Sequence, residues 1–162
     1  MPLNQIRLSV LATNDCATLE RPEKPPKPSS NVPFRLDPEF VKRAALTDRI
    51  RAKLSVPAGR AALVGLGGVG KTQLAIDYAS QLRQQFPQTW VLWIHASNAA
   101  RFEQSLGDVA HQLKIYVGKD PRTDFLLLLQ NWLRDEDNGR WLIVLDNADD
   151  ASFLLHAAGD TG

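Results

Sequence analysis

The chain has a single cysteine, Cys16, so it can form no internal disulfide and no multi-cysteine metal cage. Its three histidines lie far apart, at positions 95, 111 and 156, which argues against a structural metal site. Charge of one sign is also missing. A net charge of +1 gives no electrostatic case for nucleic acid or for an acidic partner. Long apolar runs are absent as well: the N-terminal stretch from Ile6 to Ala12 is short and broken by Arg7, and no other stretch approaches the roughly 18 residues a membrane span needs. These absences leave a cytoplasmic protein, with no membrane or nucleic-acid partner, as the expectation. The 162 residues are about one domain's worth and can bury a core.

Proline and glycine, otherwise sparse, are concentrated in two places. RPEKPPKPSS at 21–30 holds four prolines among charged and small residues, a composition that favours an extended linker over packing. Residues 1–30 therefore read as a tail and proline-rich spacer, with SH3-type docking of PEKPPKP as a weaker reading. Residues 31–162 read as the folded part. The second concentration, GLGGVGKT at 65–72, has four glycines in six positions between an apolar run and a helical pattern.

Around that loop the periodicity alternates. Phe40, Val41, Leu46, Ile50 and Leu54 predict a helix over 40–54 that stops near Pro57. AALV at 61–64 predicts a strand running into the glycine loop, and Leu74, Ala75, Tyr78, Ala79 and Leu82 predict the helix after it. WVLWI at 90–94 is apolar throughout, as a strand buried on both faces should be, and Phe102, Leu106, Val109, Ala110 and Leu113 follow at helical spacing. A helix from Asp124 to Arg134, with LLLL at 126–129 facing a core, ends at Asn138 and Gly139 and leads into WLIVL at 141–145. Such alternation makes a parallel α/β sheet with helices on both faces, and ligands bind at the carboxyl ends of its strands. No repeat of 20 to 50 residues is present, so a solenoid is not supported within this chain.

Gly65, Gly70, Lys71 and Thr72 fit G-x-x-x-x-G-K-[ST], the phosphate-binding loop of NTPases. Gly67, Gly68 and Gly70 can take positive φ, which lets successive backbone N–H groups converge on phosphate oxygens at a helix N-terminus. Lys71 would neutralise the β and γ phosphates. The Thr72 hydroxyl and the carboxylate of Asp146, directly after the apolar WLIVL, would serve Mg²⁺. WLIVLD resembles a Walker B strand, which also makes Asp146 the candidate catalytic acid.

Beyond the loop, VPFRLDPEFVKRAAL, GLGGVGKTQLA, VLWIHASNAARFEQSL and LIVLDNADD together resemble an NB-ARC domain of the STAND class of signalling NTPases, as found in fungal receptor-like proteins. The resemblance covers residues 32 to about 155. It implies a three-layer α/β/α P-loop NTPase fold, ADP or ATP with Mg²⁺ as cofactors, and nucleotide contacts from Val41, Arg43, Gly65, Gly67, Gly68, Val69, Gly70, Lys71, Thr72 and Gln73. It also implies a switch in which ADP holds a resting form and ATP permits self-association of the full-length protein.

Three features depart from the family pattern. Lys42 and Ala44 replace the glycine and glutamate that flank Arg43 in the family lead-in, and Asn147 stands where many relatives carry a second acid. An amide cannot act as a base on the attacking water, so slow hydrolysis is expected. The chain also stops before the sensor strand and the later helical and winged-helix motifs, so it is expected to be a truncated fragment with an incomplete sheet. The alternatives are a housekeeping P-loop enzyme and a degenerate scaffold. A GTPase is disfavoured by DNAD at 146–149, where D-x-x-G would need glycine, and by the lack of N-K-x-D; the intact Lys71 and Thr72 disfavour a scaffold.

Overall fold

The structure, a computed structural model, describes residues 26–115, 123–148 and 152. Among these residues, five helical segments and two strands follow in order: α1 (Ala44–Leu54), α2 (Lys71–Gln85), β1 (Thr89–His95), α3 (Ala99–Gln112), α4 (Phe125–Arg134), a 3₁₀ turn at Glu136–Asn138, and β2 (Arg140–Asp146). β1 and β2 pair in parallel, and the described residues form an α/β fold. The described residues divide into two compact units, one of Pro28–Leu92 with Gly139–Val144, the other of Trp93–Asn138 with the chain from Leu145.

In the first unit, Ile50 and Leu54 of α1 pack with Leu74, Tyr78 and Ala79 of α2 and with Val91 and Leu142 of the strands. The apolar spacing along each helix places these side chains on one face, and burying that face drives the packing. α1 begins at Ala44 rather than Phe40. Asp37 and Phe40 close a turn, Phe40 N–H donating to the Asp37 carbonyl at 3.0 Å, and Arg43 keeps a non-helical φ of −109° as N-cap. A polar chain joins the two helices: Arg51 donates to Asp48 at 2.6 Å and to Gln81 at 3.3 Å, and Gln81 donates to the buried Asp77 at 2.8 Å. The buried carboxylate thereby gains the partner its desolvation requires.

AALV at 61–64 forms no ladder among the described residues, contrary to the sequence expectation. A strand exists only through a neighbour that takes up its N–H and C=O groups, and none is paired here; Val64 is 93% exposed. Pairing appears instead where the sequence predicted a spacer. Val91 N–H donates to the Ser29 carbonyl at 3.0 Å, and Asn31 N–H donates to the Val91 carbonyl at 3.3 Å, a parallel bridge centred on Ser30. The end of the proline-rich stretch is thus a short edge addition to β1.

The second unit is built on the α3–α4 pair. Asn98 caps α3, its side chain accepting from Arg101 N–H at 2.9 Å, and Asp124 caps α4 in the same way through Leu127 N–H. Gly107 lets the Phe125 ring approach α3, 3.6 Å from where a Cβ would stand. No helix among the described residues is long and apolar enough to cross a membrane.

Candidate functional site

The glycine loop ends at Gly70, which is left-handed (φ 81°, ψ 24°) and caps α2. Gly68 is also left-handed at φ 76°, whereas Gly67 is not among the residues of positive φ. Two of the three predicted turns of the loop therefore need glycine for conformational reasons. No side chain caps α2 at its N-terminus, the positive end of the helix dipole. Lys71, the first helical residue, bends back across the loop. Its Nζ donates to the Gly65 carbonyl at 2.6 Å and the Leu66 carbonyl at 3.0 Å. An ammonium that could extend into solvent is instead fixed at the mouth of the loop.

Beside it lies a cavity of about 300 Å³, lined among others by Arg43, Arg49, Lys53, Lys71 and the apolar Leu46, Ile50 and Leu74. Four cationic side chains around an apolar floor suit a ligand with a flat apolar part and an anionic tail. Of the predicted residues, Arg43, Val69, Gly70 and Lys71 line this cavity. Arg43 reaches to 3.9 Å from the Cβ position of Gly70, which brings the family lead-in against the phosphate loop. Val41 does not line the cavity and is 78% exposed. Gln73 uses its side chain elsewhere, Oε1 accepting from Asp37 N–H at 2.9 Å. Arg49 and Lys53 were not foreseen; they sit four residues apart on one face of α1, a spacing that could have suggested a shared surface.

In the second unit, Asp146 ends β2 with its side chain largely buried. Its carbonyl accepts from Ala96 N–H at 2.8 Å, and its Oδ2 stands 3.9 Å from His95 Nδ1. His95 N–H in turn donates to the Ser105 hydroxyl at 3.2 Å, so the strand end is tied to α3. Asn147, the residue without a carboxylate, is left-handed at φ 58°, a conformation that asparagine and aspartate tolerate better than most side chains. Asp149 and Asp150 lie outside the described residues.

No three His, Cys, Asp or Glu side chains cluster as a metal cage among the described residues. Mg²⁺ does not require one. It commonly takes one or two carboxylates, waters and substrate phosphates; Thr72 lies in the first unit and Asp146 in the second, and each side chain carries a hard oxygen of the kind such an ion takes.

The NB-ARC domain model matches residues 43–155, which include the phosphate loop, both strands and Asp146. The chain belongs to the NB-ARC family. It is 33% identical over 136 residues to a nucleotide-binding leucine-rich repeat (NLR)-like protein of Hyaloscypha variabilis, covering 81% of this chain and 14% of that protein. It is also 35% identical over 126 residues to the regulatory protein AfsR of Streptomyces griseus, covering 72% of this chain and 13% of that one. The chain thus spans about one seventh of the length of these relatives. No solved structure matches it. Membership in the NB-ARC family makes the chain a nucleotide-binding module of STAND type.

Proposed function

We propose that this NB-ARC module binds ADP and ATP with Mg²⁺ and acts as the nucleotide-sensing part of a cytoplasmic signalling switch. The observation that carries the reading is the placement of Lys71. Its ammonium is held over the loop carbonyls at 2.6 and 3.0 Å, directly after a left-handed Gly70, on a helix that no side chain caps at its N-terminus. Phosphate oxygens would replace those carbonyls as acceptors, and the backbone N–H groups of residues 68–73 would receive the remaining negative charge. Arg43, with the apolar Leu46, Ile50 and Leu74, would hold the base and ribose end. Val41 would contribute through its backbone, and Gly65, Gly67 and Val69 would shape the loop.

Thr72 and Asp146 are the residues that would hold Mg²⁺, which when bound neutralises charge on the terminal phosphates. Hydrolysis would be slow, because Asn147 supplies no base beside Asp146. In the longer protein, ADP would favour a resting form and ATP exchange would permit self-association. Titration of the chain with ADP, ATP and GTP in the presence of Mg²⁺ tests the reading. Adenine nucleotides should bind at least about ten-fold more tightly than GTP, a difference of about 1.4 kcal/mol. Equal affinity for GTP, or none for ADP, would overturn it.

A further inference from the structure

Residues 28–40 run along α2 in the direction opposite to the helix. The Pro28 carbonyl accepts from Arg83 Nη2 at 3.4 Å near the helix C-terminus, and Asp37 N–H donates to Gln73 Oε1 at 2.9 Å near its N-terminus. Gln73, Ile76, Ser80 and Arg83 recur every three or four residues, so the segment follows a single stripe of the helix. Between the two ends, Ser29 and Asn31 bond to Val91 of β1, and Val32 packs against the core of the first unit.

The middle of this strap is poorly filled. A cavity of about 360 Å³ remains among Val32, Phe34, Leu36, Ile76, Ala79 and Arg83, and Phe34 is more than half exposed. A segment held by polar contacts at its ends over an underpacked centre gives up dispersion contacts and belongs to the easily opened part of a fold. Its C-terminal turn, however, is tied to the phosphate loop twice. The Asp37 carboxylate accepts from Glu39 N–H at 2.9 Å and shapes the turn that brings Phe40 against Gly70, and Gln73 directly follows Thr72.

We infer that Gln73 is a positioning residue that couples the strap to the phosphate loop, so that nucleotide binding and seating of residues 28–40 on α2 reinforce each other. The inference rests on the nucleotide reading above. A ligand that orders the loop and the first turn of α2 fixes both the Gln73 acceptor and the Gly70 surface on which the strap's turn rests. By linkage, loosening the strap must weaken the ligand by the same factor.

Hydrogen exchange on the full chain, with and without saturating Mg²⁺ and ADP, tests the coupling. Exchange of the Asn31 and Asp37 amides should slow at least about five-fold on ADP binding, the low end of ordinary couplings. Asn31→Pro, which removes the donor to Val91 far from the loop, should weaken ADP affinity at least about five-fold, whereas Asn31→Ala, which keeps that N–H, should not. ADP binding with unchanged exchange at Asp37 would overturn the coupling and leave the nucleotide site standing. Absence of ADP binding by the wild-type chain would overturn both. Should Asn31→Pro fail to fold, the wild-type exchange comparison decides alone.

Discussion

The ring of Phe40 lies 3.8 Å from the point where Gly70 would carry a Cβ, and Gly70 itself is left-handed at φ 81°. A methyl group there would fit in ordinary contact with the ring, so the constraint on Gly70 is conformational rather than steric. Gly70→Ala should cost about 1–2 kcal/mol through the left-handed backbone alone. It should also turn the first N–H groups of α2 away from any phosphate. Urea unfolding of the variant beside wild type measures the first effect and ADP titration the second. Gly67→Ala, where φ is not positive and nothing lies within 4 Å of an added Cβ, should change stability far less.

Gly59 is a different case. It is buried behind α1, and an added Cβ would overlap the Lys53 carbonyl and approach that of Val56 at 2.9 Å. Backbone cannot rotate away as a side chain can. Gly59→Ala should therefore destabilise the chain by about 1–3 kcal/mol, read as a lower urea midpoint.

Asn147→Asp should raise single-turnover ATP cleavage at least about ten-fold if the missing base limits hydrolysis. The left-handed backbone at this position, φ 58°, accommodates aspartate, so the substitution should leave the thermal midpoint nearly unchanged. An unchanged cleavage rate in a well-folded variant would remove Asn147 from the account of slow turnover.

Burial holds the Tyr78 phenol above its ordinary value of 10.0, with the Arg51 charge acting in the opposite direction. The folded chain thus keeps this proton more tightly than the unfolded chain does. The corresponding stability is present below pH 10 and is lost as pH rises through the folded value. Urea midpoints at roughly pH 9 and pH 11 should fall in wild type and fall less in Tyr78→Phe.

The elements most legible from sequence were those set by local chemistry. WVLWI and WLIVL are apolar at every position and became β1 and β2, and the 3.6-residue spacing of Phe102, Leu106, Val109 and Ala110 became the buried face of α3. The helix caps Asn98 and Asp124 carry their own acceptors, so the starts of α3 and α4 could have been read one or two residues more closely. AALV at 61–64 stays unladdered among the described residues because a strand depends on a neighbour that its own residues do not specify. The pairing of residues 29–31 with Val91 was hidden by proline-rich composition, which describes an average tendency and not the one bridge that Ser30 makes. At the site, the glycine spacing and Lys71 were plain, because phosphate chemistry demands those residue types in that order. Arg49 and Lys53 were not, since exposed cations on a helix usually face solvent and only the fold placed these beside the cavity.

If Lys71, poised over the carbonyls of Gly65 and Leu66, belongs to a working adenine-nucleotide site, ADP affinity depends on its ammonium. Calorimetric titration of wild type and Lys71→Ala with ADP and Mg²⁺ tests it most directly. Lys71 is half-buried in the first turn of α2 and packs into no apolar core, so its loss should leave the fold and its urea midpoint close to wild type. Wild type should bind clearly, and Lys71→Ala should lose at least about a hundred-fold, about 2.7 kcal/mol at 1.36 per decade. Equal ADP affinity in the two proteins would contradict it.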